Sequence, residues 1–225
     1  MGLATPVSIL VGTGRGAELG VLFRKGEALQ ALQGVQVVAF DKTGTLTEGK
    51  PVLTSFQPAD GETKEALLPV LAAVEELSEH PVARAIVAAA EGMTLPAVEG
   101  FQAKPGHGVS ARVDGAEIAL WSAREMGKRG VDISVFLAEA ERLADRGESP
   151  IYAARDGKLM ALLAVADTVK PTTPQAIAAL KALGLKLAMI SGDNARTARA
   201  IARDLGIDEV VAEVTPEGKV EAIRR

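Results

Sequence analysis

Three groups suited to phosphoryl chemistry recur at comparable places along this chain: a carboxylate at Asp41, a hydroxyl at Ser191 and an ammonium at Lys219. Asp41 ends a β-branched and aromatic run, residues 35–40, and opens the turn Lys42-Thr43-Gly44-Thr45-Leu46-Thr47. Such a run predicts a strand buried on both faces of a parallel sheet. Ligands of open α/β sheets gather at the carboxyl ends of strands, so Asp41 is expected to face a cleft. Gly44 lets the backbone approach a bound group, and the Thr43, Thr45 and Thr47 hydroxyls with the nearby amides can donate to phosphate oxygens. A carboxylate so held can attack a phosphoryl group if cations offset the repulsion between two anions. The plainer alternative is a Thr-rich turn that Asp41 only caps.

Ser191-Gly192-Asp193-Asn194 repeats the arrangement, following a predicted strand over 185–190 and opening a predicted helix that carries Ala195, Ala198, Ile201, Ala202 and Leu205. A hydroxyl with backbone amides at a helix N-terminus is a second phosphate-directed feature. Asp193 or Asn194 could equally be a simple N-cap. Lys219 falls in the first turns of a helix expected to start at Thr215-Pro216, where a flexible ammonium can offset phosphoryl charge or merely be solvated.

The elements that must position these groups alternate in βα fashion at both ends of the chain. A helix is predicted over 174–183, ended by Gly184, and a short strand over 210–212. Between these ends the pattern changes. Residues 50–61 carry turn residues. Ala66, Leu67, Val70, Leu71, Val74 and Leu77 recur at helical spacing, and a second helix begins at Pro81 with Val82, Ile86 and Ala89 inward. His80 then sits at a helix N-terminus, where the dipole favours the neutral imidazole, able to stack on or hydrogen-bond a base or simply to cap. Asp114-Gly115 and Asp156-Gly157 predict hairpins over 110–120 and 150–165, with a helix over 133–146 that buries Leu137, Ala140 and Leu143. The expected architecture is α/β: a Rossmann-like parallel-sheet domain interrupted by an inserted α+β domain built on an antiparallel sheet.

Bulk properties exclude several classes. The 225 residues are 48% hydrophobic, enough to build cores, and carry a net charge of −4, with a pI near 5.4. That leaves no electrostatic footprint for nucleic acid. Without cysteine there is no disulfide or thiolate metal site, and two histidines do not make a His-rich centre. No uninterrupted apolar stretch reaches the length of a bilayer span, so the polypeptide is expected to be soluble.

Asp41-Lys42-Thr43-Gly44-Thr45-Leu46-Thr47 resembles, without a substitution, the phosphorylation motif of P-type ATPases, whose catalytic domain belongs to the haloacid-dehalogenase superfamily. The likeness extends along the chain. Glu75 with Ser78-Glu79-His80-Pro81 is similar to the nucleotide motif of the heavy-metal branch, in which the Glu and His contact adenine. Pro105-Gly106-His107-Gly108-Val109 resembles that branch's glycine pair beside adenine and ribose. Asp167-Thr168-Val169-Lys170 resembles its Asp-Pro-x-Lys hinge, and Pro216-Glu217-Gly218-Lys219 its phosphate-site lysine. Residues 2–20 are similar to the exit of its metal-binding membrane helix. Trp121-Ser122 departs from the family's Gly-Asn, and Trp121 reads as packing.

The resemblance implies a copper- or silver-exporting P-type ATPase portion that takes ATP and Mg2+, with zinc, cadmium or lead open as cargo. Asp41 would accept the γ-phosphate and share Mg2+ with the Thr43 carbonyl. Lys42, Thr43, Ser191, Gly192, Asp193 and Lys219 would make up the phosphate site, and Glu75, Glu79, His80, Gly106, Gly108 and Val109 the nucleotide site. The implied divisions are a membrane-helix exit and stalk (1–32), a phosphorylation domain in two parts (33–48 and 166–225) and a nucleotide-binding domain (49–165). Partners would be the intact protein's actuator and transmembrane domains and the transported ion, with the portion itself cytoplasmic. The family's next segment, Gly-Asp-Gly-x-Asn-Asp, does not occur before Arg225, so the chain is expected to be a truncated fragment, impaired alone. A soluble haloacid-dehalogenase phosphatase and a non-catalytic nucleotide-binding module remain as alternatives. Thr43, where such phosphatases commonly carry a second Asp, favours a longer-lived phosphoenzyme.

Overall fold

The computed structural model describes residues 4–104, 107–215, 218, 219 and 221. Helices α1 (Ala4–Glu18) and α2 (Gly26–Leu32) come first. Strand β1 (Val37–Asp41) then joins a three-stranded parallel sheet in the order β1-β8-β9, with β8 at Lys186–Ile190 and β9 at Glu209–Val211. Helices α7 (Thr173–Ala182) and α8 (Ala195–Leu205) supply Ile177, Ala198, Ile201 and Ala202, which pack with Leu46, Leu187 and Met189. Register sets Asp41 beside Ile190, so the segment after β8 leaves the sheet next to Asp41.

Between β1 and β8 lies a six-stranded antiparallel sheet in the order β2-β7-β6-β5-β4-β3. Its strands are β2 (Val52–Pro58), β3 (Val98–Lys104), β4 (Gly108–Val113), β5 (Ala116–Trp121), β6 (Ser149–Arg155) and β7 (Lys158–Ala166). Helices α3 (Lys64–Glu75) and α4 (Pro81–Ala89) cover one face, burying Leu67, Leu71 and Ile86 against Ile118, Leu120 and Leu163. Helices α5 (Ala123–Lys128) and α6 (Leu137–Asp145) cover the other, where Met126 and Leu143 meet Trp121, Tyr152 and Leu162. With helices on both faces, β7 is buried almost throughout and reads as an apolar run. Both predicted hairpins form: Asp114 and Gly115 at φ 51° and 81°, and Asp156 and Gly157 at φ 47° and 76°, give the paired left-handed residues of tight turns. The expected fold class is borne out, a parallel sheet with an antiparallel α+β unit set into it.

Several local expectations are corrected. The first strand is Val37–Asp41 and not buried on both faces: it pairs only with β8 among the described residues, and its exposure alternates along the strand. Residues 52–58 of the supposed turn region form β2, an edge strand. Pro58 closes it, and an edge tolerates the missing N–H. Ala66 and Ala89 are exposed at helix ends. Leu77 lies beyond the end of α3 and is 51% exposed, because the helical phase stops at Glu75. A separate 3-10 turn at Ser134–Phe136 resets the phase of α6, so Phe136 is buried and Leu137 faces out.

The two connections between the sheets are locked together by Asp167. Its carboxylate accepts the Thr47 hydroxyl at 2.5 Å and the Gly49 and Lys50 N–H groups, each at 3.1 Å. Thr47 itself is fully buried, and the Lys42 carbonyl, 3.2 Å from its Oγ, is the alternative acceptor for its one proton. Asp167→Ala removes an acceptor shared by the Thr47 hydroxyl and the Gly49 and Lys50 N–H groups, which costs about 2–3 kcal/mol. Urea denaturation should show that loss, and a change below about 0.5 kcal/mol would contradict the lock.

Candidate active site

Asp41 is the last residue of β1, and Lys42–Leu46 curls away from it. Gly44 at φ +78° and Thr43 at ψ 124° break any regular helix there, and the Thr47 N–H closes the loop on the Lys42 carbonyl at 3.2 Å. Lys170, three residues after Asp167, donates from Nζ to the Gly44 carbonyl at 2.6 Å. Residues from both connections therefore fix the loop.

Two lysine–aspartate pairs cross at the ends of the parallel strands. Lys219 Nζ lies 2.8 Å from Asp41 Oδ1, and its N–H donates to the Thr215 carbonyl at 3.1 Å. The Lys42 ammonium, 6% exposed, pairs with the Asp193 carboxylate. A buried lysine needs such a partner, since removing an unpaired ammonium from water costs several kcal/mol. Asp193 is held in turn: its N–H donates to Ser191 Oγ at 3.1 Å and its carbonyl accepts from the Glu213 N–H at 2.9 Å. Ser191 is buried, and because its oxygen accepts in that bond, its O–H stays available to donate. Gly192 beside it is exposed. Asn194 caps α8, its Oδ1 accepting the Thr197 N–H at 2.9 Å.

His80 caps α4 through Nδ1, which accepts the Val82 N–H at 3.3 Å. The ring proton then belongs on Nε2. Crowding around the ring pushes its pKa down, with Asp193 pulling it up and Lys42 pushing it further down. The expected base-binding histidine is thus within electrostatic reach of the Lys42–Asp193 pair. Arg196 of α8 adds a bridge, donating to Asp145 of α6 at 2.6 and 2.8 Å and pairing with Glu141 at 2.9 Å. The Thr197 hydroxyl donates to the Glu148 carbonyl at 2.7 Å.

The remaining expected residues fall as follows. Thr43 and Glu79 are exposed. Val109 packs its side chain into the core, which leaves only its backbone for a ligand. Gly108 is at φ +129°, and a Cβ there would sit 2.0 Å from the Leu120 carbonyl oxygen, so no other residue fits. Gly106 lies outside the described residues, as do Pro216 and Glu217. Trp121 is 5% exposed and packs in the core with the Arg129 guanidinium 4.0 Å over its ring, as read from the sequence. Among the described residues no group of three or more His, Cys, Asp or Glu side chains converges as a metal site. The oxygen chemistry at Asp41, one exposed carboxylate with backbone carbonyls nearby, nevertheless fits Mg2+, which keeps most of its waters and takes few protein ligands.

Residues 35–225 match the family model described as haloacid dehalogenase-like hydrolase. The chain belongs to that family. It is also similar to longer proteins: the chain is 60% identical over 227 aligned positions to "Copper-transporting ATPase 2" of Rhizobium meliloti (strain 1021), covering all of this chain and 27% of that protein. It is 44% identical to "Silver exporting P-type ATPase" of Salmonella typhimurium, again over the whole chain and 28% of that protein. Thus the chain spans less than a third of the length of these curated relatives. Among solved structures, a zinc-transporting PIB-type ATPase in the E2.Pi state matches with TM-score 0.66 and 37% identity, over 97% of this chain and 36% of that one. The catalytic domain of the CPx-ATPase CopB-B, described on nucleotide binding, matches with TM-score 0.71 and 25% identity, over 94% and 74%. The resemblance of this haloacid dehalogenase-like chain to heavy-metal P-type ATPases is borne out.

Sequence motifs missed Arg196 and Glu125. The first looks like any solvated cation on α8, and the second lies in a six-residue helix too short to show periodicity. Glu75 was found, and its state is informative. It is 6% exposed near the end of α3, and burial pushes its carboxyl pKa up to about 7. A folded-state pKa above the unfolded 4.5 means that the native protein binds this proton more tightly. Its stability is therefore fully present below about pH 4.5 and declines as pH rises through about 7, by about 3 kcal/mol in all. Glu75→Gln should abolish that decline in urea unfolding compared at pH 5 and pH 8; the same slope in both proteins would show that Glu75 is not the titrating group.

Proposed function

We propose that this chain is the ATP-binding and phosphorylated portion of a heavy-metal P-type ATPase that exports Cu+ or Ag+. The observation that carries the reading is the 2.8 Å contact between Lys219 Nζ and Asp41, with the Lys42–Asp193 pair alongside. Asp41 would attack the γ-phosphorus of ATP: a carboxylate oxygen forms the new O–P bond, the bond to the bridging oxygen breaks, and ADP leaves with that electron pair. Water then hydrolyses the acyl phosphate, releasing inorganic phosphate and restoring the carboxylate. Lys219 offsets the charge of nucleophile and phosphoryl group, and Lys42 keeps Asp193 from adding an uncompensated anion. The Ser191 O–H and the Gly192 N–H would donate to phosphoryl oxygens. Mg2+, held by Asp41 and the Thr43 carbonyl, would supply further charge neutralisation between the two anions.

Adenine is assigned to Glu75 and His80, with Gly106, Gly108 and the Val109 backbone along the ribose and Glu79 at the rim. A Glu75 carboxyl that is half protonated near neutrality can both accept from the adenine amino group and donate to a ring nitrogen. The division into 1–32, 33–48, 49–165 and 166–225 is supported by the two sheets and by the Asp167 lock at their junction. Among the described residues no helix is long and apolar enough to cross a membrane. The portion is proposed to work on the cytoplasmic side of the intact protein, with its actuator and transmembrane domains as partners.

Two substitutions separate the halves of the site. His80→Gln should weaken ATP binding about tenfold by calorimetry on this chain, the loss of about 1–2 kcal/mol expected for one base contact. Lys219→Met should leave that affinity within about threefold, but slow Mg2+-dependent ATP hydrolysis by the intact protein about 100-fold or more. Unchanged affinity in the first, or unchanged turnover in the second, would reject the corresponding assignment.

A further inference from the structure

Glu125 is the least expected charged residue in the molecule: 3% exposed, on a six-residue helix, it gathers cations from two elements. Lys104 Nζ donates to its Oε1 at 3.1 Å and Arg129 Nε at 3.3 Å. On its other oxygen, Lys128 Nζ lies at 3.6 Å and His107 Nε2 at 3.8 Å. Lys128 also approaches the His107 ring nitrogen at 3.5 Å. Burial alone would push this carboxyl's pKa up, but the bonds from Lys104 and Arg129, with the charges of Lys104 and His107, leave it below the usual value. The group is thus an anion that its neighbours require.

The partners define its place. Lys104 ends β3 and His107 immediately precedes β4, so they flank residues 105 and 106. The His107 N–H donates to the Lys104 carbonyl at 2.9 Å and the His107 carbonyl accepts from the Ser122 N–H at 3.0 Å. Gly108 then passes so close to β5 that only glycine fits. Gly108 is therefore pressed onto β5, and Lys104 and His107 on either side of residues 105 and 106 are tied to α5 by Glu125. Arg129 completes the tie from the other side, since its guanidinium both stacks on Trp121 and bonds Glu125.

We infer that Glu125 is a positioning residue for nucleotide binding, holding Lys104 and His107 against α5 so that the backbone at Gly108 meets the adenosine in a fixed place. The inference rests on the assignment of Gly108 to the nucleotide. Without the carboxylate, Lys104, Lys128 and Arg129 repel one another around a neutral centre, and Lys104 and His107 lose their shared partner on α5. Glu125 itself touches no substrate. Its loss should therefore raise the KM for ATP while leaving turnover at saturating ATP in place, whereas a residue that only supports folding would change thermal stability and neither constant.

The test is Glu125→Gln, with Lys104→Met as an exposed-residue variant that does not threaten folding, and the double variant. ATP affinity is read by calorimetry on this chain well below its unfolding temperature, and KM and kcat in the intact protein. Glu125→Gln is expected to weaken ATP binding about tenfold and raise KM equally with kcat within about twofold, and Lys104→Met about threefold; the double variant should be no weaker than Glu125→Gln alone. Equal ATP affinity of wild type and Glu125→Gln would overturn the inference, as would fully multiplicative effects in the double variant. A wild-type chain that binds no adenine nucleotide would overturn both this inference and the function on which it rests.

Discussion

Two anions must be held side by side without repelling each other apart, and the parallel register of β1 and β8 is what creates that demand. Asp41 ends one strand opposite Ile190, and Asp193 follows three residues later on the neighbouring chain segment. Each is matched with a lysine from the other side: Lys219, beyond β9, meets Asp41, while Lys42, directly after β1, meets Asp193. The second pair is mostly buried and persists only because both charges are compensated. The first is more open, as the proposed nucleophile would require. Both the wide turn at Gly44 and the Asp167 lock serve to keep these four side chains in one place.

Much of this was legible in the sequence because backbone demands leave unambiguous marks. Gly44, the Asp-Gly turns at 114 and 156, and the Ser191–Asn194 strand-to-helix junction each require residue types that little else would select. His80 before Pro81 marked a helix start, and the structure shows its imidazole as the cap. What escaped notice shares a different physics. β2 and β3 are edge strands with little apolar content to show, and the ends of α3, α4 and α6 lose their periodicity within one turn. Charge clusters such as Arg196 with Asp145 and Glu141, or Lys104 with Glu125, join residues far apart in sequence and leave no spacing to detect.

The likenesses divide along the same line. Relatives named for copper and silver and a structure named for zinc all align with these residues. The shared part carries the phosphate- and nucleotide-directed groups, and among its described residues nothing resembles a soft-metal site. Under the proposed function, energy from the acyl phosphate would reach the ion through changes in how the two sheets face each other. Arg196 and Thr197 on α8 are well placed for that, because α8 starts at the Ser191–Asn194 loop and ends its contacts on α6 and Glu148 of the other unit.

The proposed function turns on covalent phosphorylation of Asp41. The most direct measurement is to incubate the intact protein with ATP and Mg2+, quench in acid, and reduce with borohydride, which converts an aspartyl phosphate to homoserine. Peptide mass spectrometry then locates the product. Homoserine is expected at position 41, dependent on ATP and at no other aspartate of residues 35–225. An unmodified Asp41 in protein that is turning over ATP, or reduction at Asp193 in its place, would contradict it.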